Sequence, residues 1–190
     1  MIDTHRLHDI EVAAQSARAL ADKHLTDLGI TLERVCDMAL VAMVLTSGTT
    51  DPTPNLTRDG VRLAGILEGS PLCSTILFEQ FDPVVRQRFS IAHELGHYFL
   101  HARRNGSSVP IAYQRCDQRR VDAEPVLDDT EAGDIEAEAD AFAGAFLLPA
   151  DEVRADLAHF GKCVAFLAER YGVSEAMVRR RLKALELVRA

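Results

Sequence analysis

Tryptophan is absent from this 190-residue chain, and aromatic residues together make up only 6% of it. Long apolar runs are absent too. The longest, Met38 to Leu45, falls far short of the ~20 residues that a membrane-spanning helix needs. The opening residues, MIDTHRLHD, carry acids where a secretion signal has a basic and then an apolar stretch, so the chain reads as cytoplasmic with no membrane contact. Cysteine is sparse. Cys36, Cys73, Cys116 and Cys163 are scattered without a CxxC pair, which excludes a zinc ribbon and argues against a disulfide scaffold. What is present, 47% hydrophobic and 26% charged residues, is the composition of one ordinary folded domain, or of one with a small appendix.

A basic excess is also missing, with a net charge of −8, but the deficit is local. Residues 117–140 hold ten acids and two arginines, which accounts for all of it. The rest of the chain is balanced, and its last 37 residues lean basic, with eight Lys/Arg against four acids. The acidic average therefore does not exclude a nucleic-acid contact near the C-terminus, and the acidic stretch reads first as a solvated loop and only second as a surface for a basic partner.

Along the chain, residues 5–24 have the apolar spacing of an amphipathic helix. Residues 31–45 begin as a short helix at Thr31 and then either continue or turn into a strand. SGTTDPTPN is a loop by composition. Residues 61–67 and 74–80 read as two strands of a hairpin around EGSPL. Asp82 is a candidate cap and Pro83 a candidate first residue for a helix reaching His101. A long polar loop follows over 103–134, then a helix over 135–148 stopped by Pro149. Three short helices complete the chain: one from Asp151, one over 163–171, and one from Ser174 after a turn at Gly172.

The first of the two long central helices contains His93-Glu94-Leu95-Gly96-His97, an HExxH pattern. Histidines at i and i+4 sit one above the other on a helix face and can share one tetrahedral zinc. Glu94 lies beside them, placed to take a proton from the attacking water. A catalytic zinc needs a third protein ligand. His101 extends the ladder, but on a straight helix it lies about 12 Å along the axis from His93, so the three histidines cannot converge on one ion. His101 is expected instead at the helix C-terminus, against the last carbonyls.

The third ligand is expected from the second helix, DIEAEADAFAGAFLLP. At about 100° per residue, Ile135, Ala139, Phe142 and Phe146 form its core face. Glu136 and Asp140 share one flank, so Glu136 is the expected ligand and Asp140 the carboxylate that orients a ligating imidazole. Glu138 points to the opposite flank and is expected to be a surface residue whose substitution is near neutral.

RFSIAHELGHYFLH followed by IEAEADAFAGAFLLP resembles the ImmA/IrrE family of zinc metallopeptidases. The resemblance extends over about residues 61–188 and takes in the tail LAERYGVSEAMVRRRLKALELV. It implies a small zincin core, with the HExxH helix against a twisted sheet, followed by a helix-turn-helix-like bundle. It also implies His93, His97 and Glu136 as Zn²⁺ ligands and Glu94 as general base. Where Asp140 stands, members of that family often have Asn. The implied substrate is a helix-turn-helix repressor, whose cleavage releases stress-response or mobile-element genes. A peptide substrate would lie along an exposed strand edge; residues 74–80 are either that edge or an ordinary buried strand.

In the tail, Ala168, Gly172 and Val178 fit the packing positions of a helix-turn-helix, with Ser174 as cap. Arg179, Arg180, Arg181 and Lys183 would project from the last helix toward DNA or, in preference, into solvent on a helix pair that only completes the fold or toward a docked protein partner, since one short basic helix supplies few phosphate contacts. The expected molecule is therefore an α+β zincin-like metallopeptidase over residues 1–150, with a helical segment over 151–190 packed on it. The rival from another class is a DNA-binding or scaffold regulator in which the metal only joins two helices. A structural zinc should be closed by four protein ligands, and no fourth is evident.

Overall fold

A computed structural model describes residues 2–30, 37–70, 73–102, 111–116, 129–161 and 163–187. Asp3 accepts a hydrogen bond from the Arg6 amide and starts α1 (Thr4–Asp27). Its residues Ile10, Ala14, Ala17, Ala21 and Leu25 recur every three or four positions, and all are buried. A short apolar helix, α2 (Met38–Thr46), follows, capped by Asp37. The proposed helix start at Thr31 lies outside the described residues.

Next come β1 (Thr49–Thr53), β2 (Thr57–Arg58), β3 (Val61–Ser70) and β4 (Cys73–Glu79). β2 and β3 join through Asp59-Gly60, both at positive φ (51° and 75°), the two-residue turn that matches strand twist. β3 and β4 form the expected antiparallel hairpin. The sheet order is β1-β4-β3-β2, with β5 (Ile111–Cys116) also pairing with β3. β5 lies within the stretch expected to be loop.

β1 is the strand that composition hides. SGTTDPTPN reads as a loop, yet Thr49–Thr53 pairs in parallel with β4, and Pro52 is tolerated because β1 sits at the sheet margin. Its presence corrects the edge expected at 74–80. β4 is bonded on both sides, by β1 and by β3, so no peptide can add to it.

From β4 the chain turns sharply into α3 (Val84–His97), and Glu79 holds that turn. Its buried carboxylate accepts hydrogen bonds from the amides of Leu56 (2.7 Å), Phe81 (3.0 Å) and Asn55 (3.2 Å). Pro83, not Asp82, is the cap residue of α3; Asp82 instead takes ion pairs from Arg86 (3.1 Å) and Arg62 (3.3 Å). α3 then passes into a π-helical turn at Tyr98–Ala102.

α4 (Asp129–Leu147) begins earlier than expected, and Ala139, Phe142 and Phe146 are buried as its pattern requires. α3 is therefore sandwiched between the sheet on one side and α4 on the other, with α1 across α4. α5 (Ala150–Phe160), α6 (Val164–Tyr171) and α7 (Glu175–Ala184) follow. Gly172 adopts the left-handed conformation (φ 61°) and Ser174 caps α7 through the Met177 amide. Leu167, Tyr171, Val178 and Leu182 join the same apolar cluster as Ile10, Leu95 and Phe142. Arg88 of α3 donates to the carbonyls of Gly172 (3.0 Å) and Tyr171 (3.3 Å), fixing the α6–α7 turn to the helix that carries the histidines. No described helix is long and apolar enough to cross a membrane.

Candidate metal centre

Helical spacing alone aligns His93 and His97 on one face of α3, with their Nε2 atoms 3.0 Å apart. The third group comes from α4. Glu136 places one oxygen 3.1 Å from His93 Nε2 and the other 3.2 Å from His97 Nε2. α4 comes this close because Gly96 has no side chain: a Cβ there would lie 2.9 Å from Ala139 Cα and 3.0 Å from its carbonyl oxygen. Gly96 is thus a functional position that spacing arguments pass over.

One donor atom from each residue makes a triangle whose corners all lie within 4.8 Å of one another, the two Nε2 atoms standing 3.0 Å apart and each meeting one of the two Glu136 oxygens. A tetrahedral ion with nitrogen and oxygen donors at about 2.0–2.1 Å would separate them by about 3.3 Å. Two imidazoles and a carboxylate are also the donor chemistry of an open, three-ligand zinc site. The residues present fit a metal ion. Both histidines are almost wholly buried, whereas the Glu136 side chain is 44% exposed, so the triangle opens toward solvent on the α4 side.

The surrounding charges keep the donors in ligating form. Burial opposes ionisation of Glu136, but the two imidazoles beside it outweigh that and hold the carboxyl at about 2. Burial pushes His97 below the usual imidazole range, only partly offset by Glu136, so its ring stays neutral. His93 Nδ1 lies 2.9 Å from Asp140 Oδ1; with Nδ1–H donating to that carboxylate, the Nε2 lone pair faces the triangle. Asp140 Oδ2 is in turn 3.4 Å from Arg180 Nη1.

Glu94 is fully buried on the sheet side of α3, against Gly65 of β3. A Cβ at Gly65 would stand 2.7 Å from Glu94 Oε1, so the carboxylate would have to shift to admit one. The register of β3 against β5 shifts between Leu63 and Gly65, which marks the irregularity that admits it. The sequence carries no signal for Gly65 beyond a glycine inside a strand.

Residues 75–183 match the peptidase family described as the IrrE N-terminal-like domain. The chain belongs to this family. The match takes in α3, α4 and all three candidate donors, and membership brings a metallopeptidase-type function. No curated protein matches the chain.

The IrrE-like frame also shows where one expectation fails and another is extended. His101 stands in the last helical turn and meets two side chains there. Its Nδ1 is 3.1 Å from His97 Nδ1 and its Nε2 is 3.1 Å from Glu138 Oε2. Glu138 is no surface residue: its side chain is 15% exposed and is gripped by both arms of Arg6. The cause is that both flanks of α4 have neighbours. Glu136 and Asp140 meet α3, while Glu138 meets α1 and the π-helical turn. Arg6 is the largest influence on Glu138, holding its carboxyl below the usual range.

On α7 the basic residues divide. Arg181 turns inward, donating to the Leu148 carbonyl (2.9 Å) and to both oxygens of Glu11, so it cannot reach a partner. Its position two turns into an amphipathic helix puts it on the face of Val178 and Leu182. Arg179, paired with Glu175, and Arg180 and Lys183 are exposed. The acidic stretch at 117–128 lies outside the described residues.

Proposed function

We propose that this chain is a zinc-dependent endopeptidase, with His93, His97 and Glu136 holding Zn²⁺ and Glu94 acting as general base. The convergence of two imidazoles and a carboxylate, one donor atom of each within 4.8 Å of the others, carries the reading. Zinc, when bound, polarises the scissile carbonyl and lets a water lose its proton near neutral pH. Glu94, held dry against Gly65, accepts that proton and returns it to the leaving amine. Asp140 keeps His93 in the ligating tautomer. Among the described residues only three donors meet, whereas a metal serving to join helices wants four.

The substrate we propose is a helix-turn-helix repressor in the cytoplasm, cleaved to release stress-response or mobile-element genes. The family resemblance of both metal-helix blocks supports this. The peptide would add to β5, which among the described residues is bonded only to β3, directly beside the Glu94 pocket. Partner docking fits α7 better than DNA binding, because Arg181 is spent inside the fold and three exposed basic residues remain.

The test is a pair of measurements on one variant. Glu94→Gln should keep about one zinc per chain but lose cleavage of a repressor substrate, since an amide accepts no proton. Undiminished turnover would remove Glu94 from the mechanism. Retention of a full zinc by both His93→Ala and His97→Ala would remove the metal site.

A further inference from the structure

We infer that His101, Glu138 and Arg6 form a hydrogen-bonded relay that sets the tautomer and orientation of His97, which makes His101 a positioning residue of the metal centre. The inference rests on the proposed zinc site and extends it to residues outside the HExxH pattern. Arg6 lies on α1, outside the matched residues.

The argument is one of counting protons. Glu138 is gripped by Arg6 through Nε (2.6 Å) and Nη2, and a carboxylate in that position only accepts. The contact at 3.1 Å between Glu138 Oε2 and His101 Nε2 therefore requires the proton on His101 Nε2. A neutral imidazole protonated at Nε2 has its lone pair on Nδ1. His101 Nδ1 faces His97 Nδ1 at 3.1 Å, so the proton of that bond belongs to His97. With Nδ1 protonated, His97 presents an unprotonated Nε2, and this is the atom 3.0 Å from His93 Nε2 and 3.2 Å from Glu136 Oε1. Every member of the chain has one consistent role, ending at a ligand lone pair.

The surroundings suit that task. The His101 side chain is 9% exposed, and its ring lies 5.3 Å from that of His97. The π-helical turn at Tyr98–Ala102 carries His101 away from the regular continuation of α3. α1 and α4 supply the other members, so the relay spans three separate helices. Partners that orient a ligating imidazole typically affect metal affinity by about 10–100-fold.

The experiment is zinc affinity of the full-length chain by chelator competition, with the visible spectrum of the cobalt-substituted protein as a second readout. His101→Leu should bind zinc about 10–100-fold more weakly, with an altered cobalt spectrum, while the metal-free variant stays folded by circular dichroism. His101→Asn, whose side-chain oxygen can accept the His97 proton, should recover most of that affinity. A merely structural role would not be rescued in this way. Glu138→Gln should weaken zinc by about 3–10-fold alone and add little to His101→Leu, because it acts through His101. If His101→Leu does not fold, Glu138→Gln and His101→Asn still decide the matter. Wild-type affinity in Glu138→Gln, strict additivity in the double variant, or affinity for His101→Leu within about twofold of wild type overturns the relay. Failure of the zinc site itself looks different: the unaltered chain binds no zinc, or His93→Ala binds it as tightly as the unaltered chain.

Discussion

The two imidazoles of the candidate metal centre are supported in different ways. His93 meets a carboxylate directly, Asp140, which is 35% exposed and stands 3.4 Å from the outer, 74%-exposed Arg180 of α7. His97 reaches a carboxylate through another imidazole, and the far end of that arm is the inward Glu138–Arg6 pair at 15% and 21% exposure. The first arm is short and wet, the second long and mostly dry. Solvent screens an exposed pair, whereas removal of one partner from a buried pair leaves a desolvated charge behind. The two arms should therefore respond differently to the same kind of substitution, although both end on a proposed ligand of the same ion.

The largest effect should come from a change that touches neither arm. Gly65→Ala pushes into Glu94 while leaving both histidines, Asp140 and Glu138 in place. Zinc content should be unchanged and turnover should fall by about 100-fold, the usual cost of an ångström-scale misplacement. Loss of zinc in that variant would mean that Glu94 and the ligands are not separable.

The inner arm comes next. Arg6→Ala leaves Glu138 facing His101 without its cation, and should cost about 1–2 kcal/mol in the urea stability of the metal-free chain. A smaller pH effect should follow the same arm. Burial lowers the folded-state values of His97 and His101 below the ordinary 6.5, so the unfolded chain takes up protons that the folded chain refuses. Metal-free stability should hold above about pH 6.5 and fall as the pH drops below it. Glu136 adds a second loss between 4.5 and about 2, because its folded value is depressed. Urea midpoints at pH 7.5 and 5.5 measure the first window, and His101→Leu should flatten it. An equal midpoint at both values would show that the histidines are not held neutral by the fold.

The outer arm should show the smallest effect. Arg180→Ala removes a 3.4 Å contact made by an exposed guanidinium, and should change stability by no more than about 0.5 kcal/mol. A loss as large as that of Arg6→Ala would erase the distinction between the arms.

The same contrast, between contacts within one element and contacts between elements, separates what is legible in the sequence from what is not. The His93–Glu94–His97 ladder and the Glu136–Asp140 flank each lie within one helix, where a period of 3.6 residues decides which side chains share a face. The β3–β4 hairpin is legible for the same reason, through local alternation and a turn between the strands. β1 is not: its residues have loop composition, and they become a strand only because β4 offers an unpaired side to a distant chain segment, Thr49 lying opposite Thr75. Gly65 and Gly96 are equally silent, because what each excludes is an atom of a different element, Glu94 in one case and Ala139 in the other.

By itself, then, the sequence determined the His93–Glu94–His97 ladder, the flank shared by Glu136 and Asp140, and the helices that carry them, since each depends on positions a few residues apart. Tertiary structure alone decided what stands behind those residues. Arg6 meets Glu138 across 132 positions of sequence, and Arg181 meets Glu11 across 170. Helical period specifies which flank of α4 a glutamate occupies, but whether that flank meets water or another helix depends on how α1, α3 and α4 pack. That packing is set by the whole apolar core, in which Ile10, Leu95 and Phe142 take part together.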